Sequence, residues 1–254
     1  MITPKTLQKD LKKFIPLIKK DFSGKIQKHA LDYLKAYQDR FLKIINLILE
    51  RTQKKQKVKI LDIGIQYGFY AIILKNRFKY NLFGTDISEN ISCRCQLAKK
   101  AKIPLKAFNL LSNKKNLYPK KYFDVIILGE VIEHIPCAPQ VIFNKIKPYL
   151  KKNGLIIITT PNIAYLPNII KLLRGRNIQE RFKENWQRKI DSRSHVREYS
   201  KNEIINALEK TGYQIDKTKM ACHQSHNKLK MWKKILLKIF PKYEKYILIR
   251  ACKI

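Results

Sequence analysis

Residues 123 to 134 read Phe-Asp-Val-Ile-Ile-Leu-Gly-Glu-Val-Ile-Glu-His, an apolar run that ends in two carboxylates and an imidazole. Glu130, Glu133 and His134 fall where a buried strand opens into a loop. His195 follows in Ser194-His-Val-Arg-Glu-Tyr-Ser200, just ahead of another helical pattern. Side chains of these types support two kinds of chemistry. His134 or His195 can take a proton from a hydroxyl as a general base while the glutamates position a substrate. Alternatively Glu130, Glu133, His134 and His195 can together hold a divalent cation, because mixed oxygen and nitrogen ligands suit Mg²⁺ or Mn²⁺. A plainer account is structural, with Glu133 and His134 capping the following turn or bonding to backbone. The spacing alone leaves all of these open.

Such groups need elements that bring a reactant to the same sheet edge, and the preceding sequence supplies them. Val58-Lys-Ile-Leu-Asp-Ile-Gly-Ile-Gln-Tyr-Gly68 is followed by a helix-like run and then by Asn81-Leu-Phe-Gly-Thr-Asp86. This is strand, glycine turn, helix, strand and acid. Gly64 and Gly68 let backbone approach a ligand where a Cβ would collide. Asp86 ends the second strand 22 residues after Gly64, and an acid there can accept both hydroxyls of a ribose. The pattern fits an adenosine-containing cofactor at the edge of a parallel sheet. The Gly-x-Gly-x-x-Gly usual in nicotinamide enzymes is absent.

Together with Lys151-Lys-Asn-Gly-Leu-Ile-Ile-Ile-Thr-Thr-Pro-Asn162, these motifs resemble, in this order, the class I S-adenosylmethionine-dependent methyltransferases. The nearest likeness is the broad group with Glu-x-x-Glu-His after strand four, and it covers about 58 to 215. The resemblance implies S-adenosylmethionine as cofactor. It carries cofactor contacts over to Asp62, Gly64, Gln66, Gly68, Asp86, Ile87, Asn109, Leu110, Gly129 and Glu130, and catalytic roles to Glu133, His134 and His195. Two positions depart from the family. Gln66 stands where its loop has a middle glycine, so the backbone there is expected to avoid positive φ. Asn109 replaces an acid that would bind the adenine amino group, and its side-chain carbonyl can still accept that bond. The run from His195 to Glu198, Tyr199 and Ser200 also resembles the small-RNA 3′-terminal 2′-O-methyltransferases, which implies the four-residue metal set and an RNA partner. Against that, the chain shows no separate RNA-binding module, and few aromatics beyond Phe182 and Trp186 interleave its arginines.

The implied fold class is α/β: a Rossmann-like seven-stranded, mostly parallel sheet with helices on both faces and an antiparallel last strand. Short Ile/Val/Leu runs near 58–63, 81–86, 105–109, 123–128 and 155–160 alternate with helical patterns near 68–77, 89–101 and 139–150, as a sheet buried on both faces requires. Residues 1–57 read as a helical cap, with one apolar stripe over 25–51 and a solvated linker at 53–57. Residues 58–254 form the methyltransferase domain. Its segment at about 163–198 is charged and poorly periodic, and hangs over the ligand edge of the sheet. Ser200 and Glu203 make a capping box for a helix over 200–211, stopped by Gly212. Strand six is expected at 213–221 and the last strand at 246–251. Between them the basic, apolar stretch 228–240 reads as a covering helix with Trp232, Ile235, Leu236 and Ile239 inward. A basic helix with Trp can instead rest on anionic lipid, a peripheral membrane contact.

Composition narrows the partners. The net charge is +35, which invites an acidic partner. Lysines number 43 against 11 arginines, and so even a spread reads as solvated faces written by an A+T-rich genome. Arginine is different, because Arg174, Arg176, Arg181, Arg188, Arg193 and Arg197 fall within 24 residues. Arginine suits planar, bidentate binding of phosphate or carboxylate. These six are the expected substrate-binding residues, facing an anionic small molecule, glycan or lipid-linked acceptor. The five cysteines form no framework, which fits a reducing, cytoplasmic setting. No apolar run approaches a membrane span. The expected activity is O-methylation of a hydroxyl on an acceptor carrying an anionic group. The rivals are a metal-dependent RNA 2′-O-methyltransferase and a binding protein that has lost catalysis.

Overall fold

The N-terminal residues fold as α1 (Pro4–Lys12), α2 (Phe14–Asp21), α3 (Gly24–Ala36) and α4 (Gln38–Thr52). The structure is a computed structural model that describes residues 1–52, 57–112, 117–178, 195–223 and 229–254. Thr3 caps α1 by accepting from Thr6 N at 3.2 Å. The single stripe expected over 25–51 is interrupted at Tyr37, whose φ of −113° and ψ of 17° leave the helical region. Both halves still turn one apolar face inward, and Ala30, Leu34, Phe41, Ile44, Ile45 and Ile48 are buried. Of the expected linker, residues 53–56 lie outside the described residues.

The sheet begins with β1 (Lys59–Ile63), α5 (Phe69–Phe78) and β2 (Asn81–Asp86). Next come α6 (Ser88–Cys93), α7 (Gln96–Lys100), β3 (Leu105–Ala107), β4 (Phe123–Gly129), α8 (Pro139–Ile146) and β5 (Leu150–Pro161). The chain closes with α9 (Leu166–Leu173), α10 (Lys201–Lys210), β6 (Tyr213–Ala221), α11 (Met231–Ile239) and β7 (Tyr246–Lys253). The strand order is β3-β2-β1-β4-β5-β7-β6. The strands from β1 to β5 pair in parallel, and β7 runs antiparallel to both β5 and β6. This is the architecture the sequence implied.

Continuous apolar strands fit because both faces are covered. Val125, Ile126, Ile127 and Leu128 in β4 are fully buried, the even and odd positions contributing to opposite cores. The N-terminal helices with α5 and α7 close one face, and α8 with α10 the other. Each such side chain contributes about 1.5–3 kcal/mol. The capping box of α10 is present: Ser200 Oγ accepts from Glu203 N at 3.3 Å, and Glu203 Oε2 accepts from Ser200 N at 2.8 Å. Gly212 follows at φ +76°.

Several expectations need correction. The helix over 89–101 is two short helices broken at Arg94–Cys95, and α8 stops at Ile146 because a 3₁₀ turn (Lys147–Tyr149) feeds β5. The segment expected to be poorly periodic contains α9. The inward packing expected of Trp232, Ile235 and Ile239 is not found: they are 47, 52 and 60% exposed, and Leu237 makes the inward contact. Spacing can mark a stripe but not the side on which the body lies. Among the described residues, no helix is long and apolar enough to cross a membrane.

Candidate active site

Four strand ends and one helix of the cap enclose a cavity of about 380 Å³. Gly64 from the β1 turn, Asp86 and Ile87 from the end of β2, and Glu130, Glu133 and His134 after β4 line it. His29, Tyr33 and Tyr37 from the helical cap, and His195 from beyond α9, complete the wall. The cavity is thus at the carboxyl edge of the sheet, where the strands leave backbone groups facing a ligand.

Glycine is required at Gly64. Its φ is +77°, and a Cβ there would lie 2.6 Å from Val131 Cγ2. Gln66 departs from expectation, for its φ is +45°. Left-handed backbone costs a non-glycine residue about 1–2 kcal/mol. The turn holds it nonetheless, because Gln66 N donates to Asp86 Oδ2 at 2.9 Å, and a hydrogen bond to a carboxylate offsets about 1.5–3 kcal/mol. Asp86 therefore fixes the turn as well as facing the cavity. Its Oδ1 accepts from Ile87 N at 2.8 Å and from Asn90 Nδ2 at 2.7 Å. A carboxylate offers about four acceptor sites, so a free one remains on Oδ2 for a ribose hydroxyl, and a second hydroxyl requires Asn90 to swing aside. Burial raises the Asp86 pKa, opposed by these three donors.

Asn109 lies exposed at the cavity rim, with Oδ1 accepting from Leu111 N at 2.8 Å and keeping its second lone pair. Buried Phe108 and Leu110 flank it and offer apolar surface for a flat base. Asp62, Gly68 and Gly129 do not reach the cavity wall. They stand behind it: Gly68 turns into α5 at φ +69°, and Gly129 passes Tyr70 so closely that a Cβ would sit 3.2 Å from its hydroxyl.

Asp62 is fully buried. Its Oδ1 accepts from Tyr70 Oη at 2.7 Å, while Oδ2 has no partner. Burial pushes its pKa up to about 8. An acid with a raised pKa in the fold binds more protons folded than unfolded, so its contribution to stability is lost as pH rises from about 4 towards 8. We expect the cofactor-free protein to lose stability across that window. Asp62→Asn should make the fall shallower by roughly 1–3 kcal/mol in urea titrations at several pH values. Parallel slopes for variant and wild type would mean that the Asp62 carboxyl is ionised in the fold.

Residues 130–134 divide their labour. Glu130 has φ +58°. Its Oε1 accepts from Thr159 Oγ1 at 3.0 Å, and its Oε2 lies 2.9 Å from Arg40 Nη1. Arg40 is 1% exposed, donates from Nη2 to Tyr33 Oη at 2.7 Å, and stacks over Tyr37 at 4.1 Å and Tyr246 at 5.2 Å. Burial opposes the Arg40 charge, but Glu130 and the tyrosine hydroxyls outweigh it and hold the guanidinium protonated. Glu133 is fully buried; Oε2 accepts from Thr160 Oγ1 at 3.1 Å and Oε1 accepts no hydrogen bond. Burial first, and then the charge of Glu130, push its pKa well above the carboxylate range. Its carbonyl oxygen accepts from Val196 N at 2.8 Å and Arg197 N at 3.2 Å, which ties the distant His195 segment to the strand-four loop.

That tie brings the two histidines together. The rings of His134 and His195 stand edge to face, centroids 4.9 Å apart. His134 Nε2 is 3.9 Å from Glu133 Oε1, and His195 Nδ1 is 3.4 Å from Glu198 Oε1. Glu133, His134 and His195 each offer a ligand atom within 4.8 Å of the others, so three of the four candidate metal ligands converge. Glu130 is not among them, because Arg40 holds it.

The arginines are placed less simply. Arg181, Arg188 and Arg193 lie outside the described residues. Arg174 and Arg176 are exposed just past α9 and do not line the cavity. Arg197 pairs with Glu203 at 2.6 Å and lines a neighbouring cavity of about 630 Å³ beside Cys137 and Tyr199. The residues that sequence reasoning missed are His29, Tyr33, Tyr37, Arg40, Asn90 and Arg94. Arg40 left a trace, as an arginine embedded in the apolar stripe of the cap.

The cavity suits S-adenosylmethionine: Gly64 leaves no room for a side chain, Asp62 has an orphaned oxygen behind the turn, and Asp86 and Asn109 keep acceptors. Comparison with known proteins agrees. Residues 33–218 match the family profile whose description is "Methyltransferase domain". A ubiquinone biosynthesis O-methyltransferase of Rickettsia canadensis is 28% identical over 177 residues, 69% of this chain and 71% of that protein. The Rickettsia akari protein of the same name is 35% identical over 107 residues, but that match spans only 41% of its length. The chain shares its fold with the magnesium protoporphyrin IX methyltransferase of Synechocystis, solved with bound S-adenosylhomocysteine. The TM-score is 0.60 and the identity 14%, covering 91% of this chain and 89% of that one. The profile match takes in β1 to β5 and every cavity residue but His29. This chain belongs to the methyltransferase-domain family and is an S-adenosylmethionine-dependent methyltransferase.

Proposed function

We propose that the chain methylates the oxygen of a hydroxyl on a small-molecule, glycan or lipid-linked acceptor that carries an anionic group. The observation that carries this reading is the His134–His195 pair at the mouth of the cofactor cavity, backed by buried Glu133. Bound in the cavity, S-adenosylmethionine would supply an electrophilic methyl group on a sulfonium. The chain's own residues then have three tasks. Asp86, Ile87 and Asn109 bind the adenosine end. Glu198 orients the His195 imidazole, and the Glu133 backbone carbonyl, which accepts from Val196 N and Arg197 N, sets that imidazole beside His134. One imidazole nitrogen takes the hydroxyl proton as the oxygen–carbon bond forms and the carbon–sulfur bond breaks. The names of the Rickettsia relatives support an oxygen acceptor. The arginines at 174, 176 and 197, with the three outside the described residues, remain the candidates for the acceptor's anion.

The test is kinetic. His134→Gln and His195→Gln should leave affinity for S-adenosylhomocysteine within about twofold, and one of them should lower kcat by about 10²–10⁴-fold. Activity unchanged in both variants would end the general-base assignment.

The three converging ligand atoms favour a second reading, in which Glu133, His134 and His195 hold a divalent cation that activates the hydroxyl. Loss of activity on chelation, restored by Mg²⁺ or Mn²⁺, would establish it. An RNA acceptor belongs to that reading and carries its own signature, a steep loss of binding with added salt.

A further inference from the structure

We propose that α11 is a docking surface for an anionic lipid bilayer. Met231, Trp232, Ile235 and Ile239 are 69, 47, 52 and 60% exposed. At about 100° per residue they span an arc of roughly 100°. Leu237, 1% exposed, lies on the opposite side and pins the helix to the protein. A helix that covers a core turns this pattern the other way. Phe240, 48% exposed, extends the apolar face past the helix end.

Charge chooses the occupant. Residues 229–245 hold six lysines (Lys230, Lys233, Lys234, Lys238, Lys242 and Lys245) against the single acid Glu244. On the helix wheel Lys234 and Lys238 flank one margin of the apolar arc and Lys233 stands beyond the other. An apolar face with Trp, bordered by lysines, matches the interface of an anionic bilayer. A second copy of the chain would set lysine against lysine. Single-stranded nucleic acid would use stacked aromatics rather than exposed isoleucines.

The surface is also well placed. β6 runs parallel to β5, so the chain leaves it at the ligand edge of the sheet. There Tyr246 pairs with both Pro161 and Ala221. The Tyr246 ring lies 5.8 Å from that of Tyr37, which lines the cofactor cavity. Docking through α11 therefore brings that edge towards the bilayer. The inference does not depend on which hydroxyl is methylated.

The experiment is cosedimentation of the full chain with phosphatidylcholine vesicles, with and without about 30 mol % phosphatidylserine, alongside the triple variant Trp232→Ser, Ile235→Ser, Ile239→Ser. These side chains are exposed, and unchanged affinity for S-adenosylhomocysteine will certify the fold. We expect the wild type to partition onto the anionic vesicles only, and the triple variant to do so about tenfold less. Equal partition of the triple variant would overturn the proposal. So would equal binding to neutral vesicles, or a lipid-free dimer that the triple substitution dissociates.

Discussion

Arg40→Ala is expected to lower stability by about 3–5 kcal/mol, read as a fall in the urea midpoint at unchanged slope. The reason is what the substitution leaves behind. Glu130 sits at φ +58° with Oε2 facing Arg40 at 2.9 Å, and its side chain is 14% exposed. Without the guanidinium a carboxylate stays in an aromatic pocket with only Thr159 donating to it. Tyr33 loses its donor at the same time. Arg40→Ala combined with Glu130→Gln should recover part of the loss, because the stranded charge is then removed. Arg40→Lys should not rescue fully, since one ammonium cannot reach both Glu130 and Tyr33 while stacking on Tyr37. A loss below about 1 kcal/mol would instead match an exposed pair.

The second large effect is expected at Asp86. Asp86→Ala should weaken binding of S-adenosylhomocysteine by more than about tenfold, or about 1.4 kcal/mol, measured by calorimetric titration. Two losses add there. The acceptor for ribose hydroxyls disappears, and so does the acceptor that holds Gln66 in left-handed backbone. Asp86→Asn separates them. Its remaining carbonyl oxygen can keep the Gln66 contact, so the fold should be spared while affinity still falls. Equal affinity in wild type and both variants would remove the ribose assignment.

What could be read in advance follows from how local each determinant is. Strands β1 and β4 fall within a residue or two of their apolar runs, because a strand buried on both faces must be almost continuously apolar, whereas β2 is legible through Leu82 and Phe83 followed by a glycine and a terminal acid. The Ser200–Glu203 capping box is legible for the same reason, being a contact across three residues. That His195 could fold back towards His134 is legible from its place just ahead of a helix, but the approach is made by backbone bonds from Val196 and Arg197 to Glu133 that no pattern announces. Arg40 shows the limit. A charged residue within an apolar stripe signals a partner, but its partner lies 90 positions away at Glu130. Gln66 fails differently: intrinsic preference argued against positive φ, and a hydrogen bond to Asp86 outweighed it. In α11 the period was right and the facing wrong.

The central claim, methyl transfer to a hydroxyl oxygen, is tested most directly by the chemical linkage of the product. The protein is incubated with S-adenosylmethionine carrying a labelled methyl group and a fractionated host extract, and the labelled fraction is then treated with alkali. An ether methyl survives alkali and is released as methyl iodide by hot hydriodic acid, whereas a methyl ester is cleaved by alkali and an N-methyl group withstands both treatments. The account predicts label in a small-molecule, glycan or lipid fraction that resists alkali and is released by hydriodic acid. Label released by alkali, label confined to RNA or protein, or no transfer at all by a chain that still binds S-adenosylhomocysteine would contradict it.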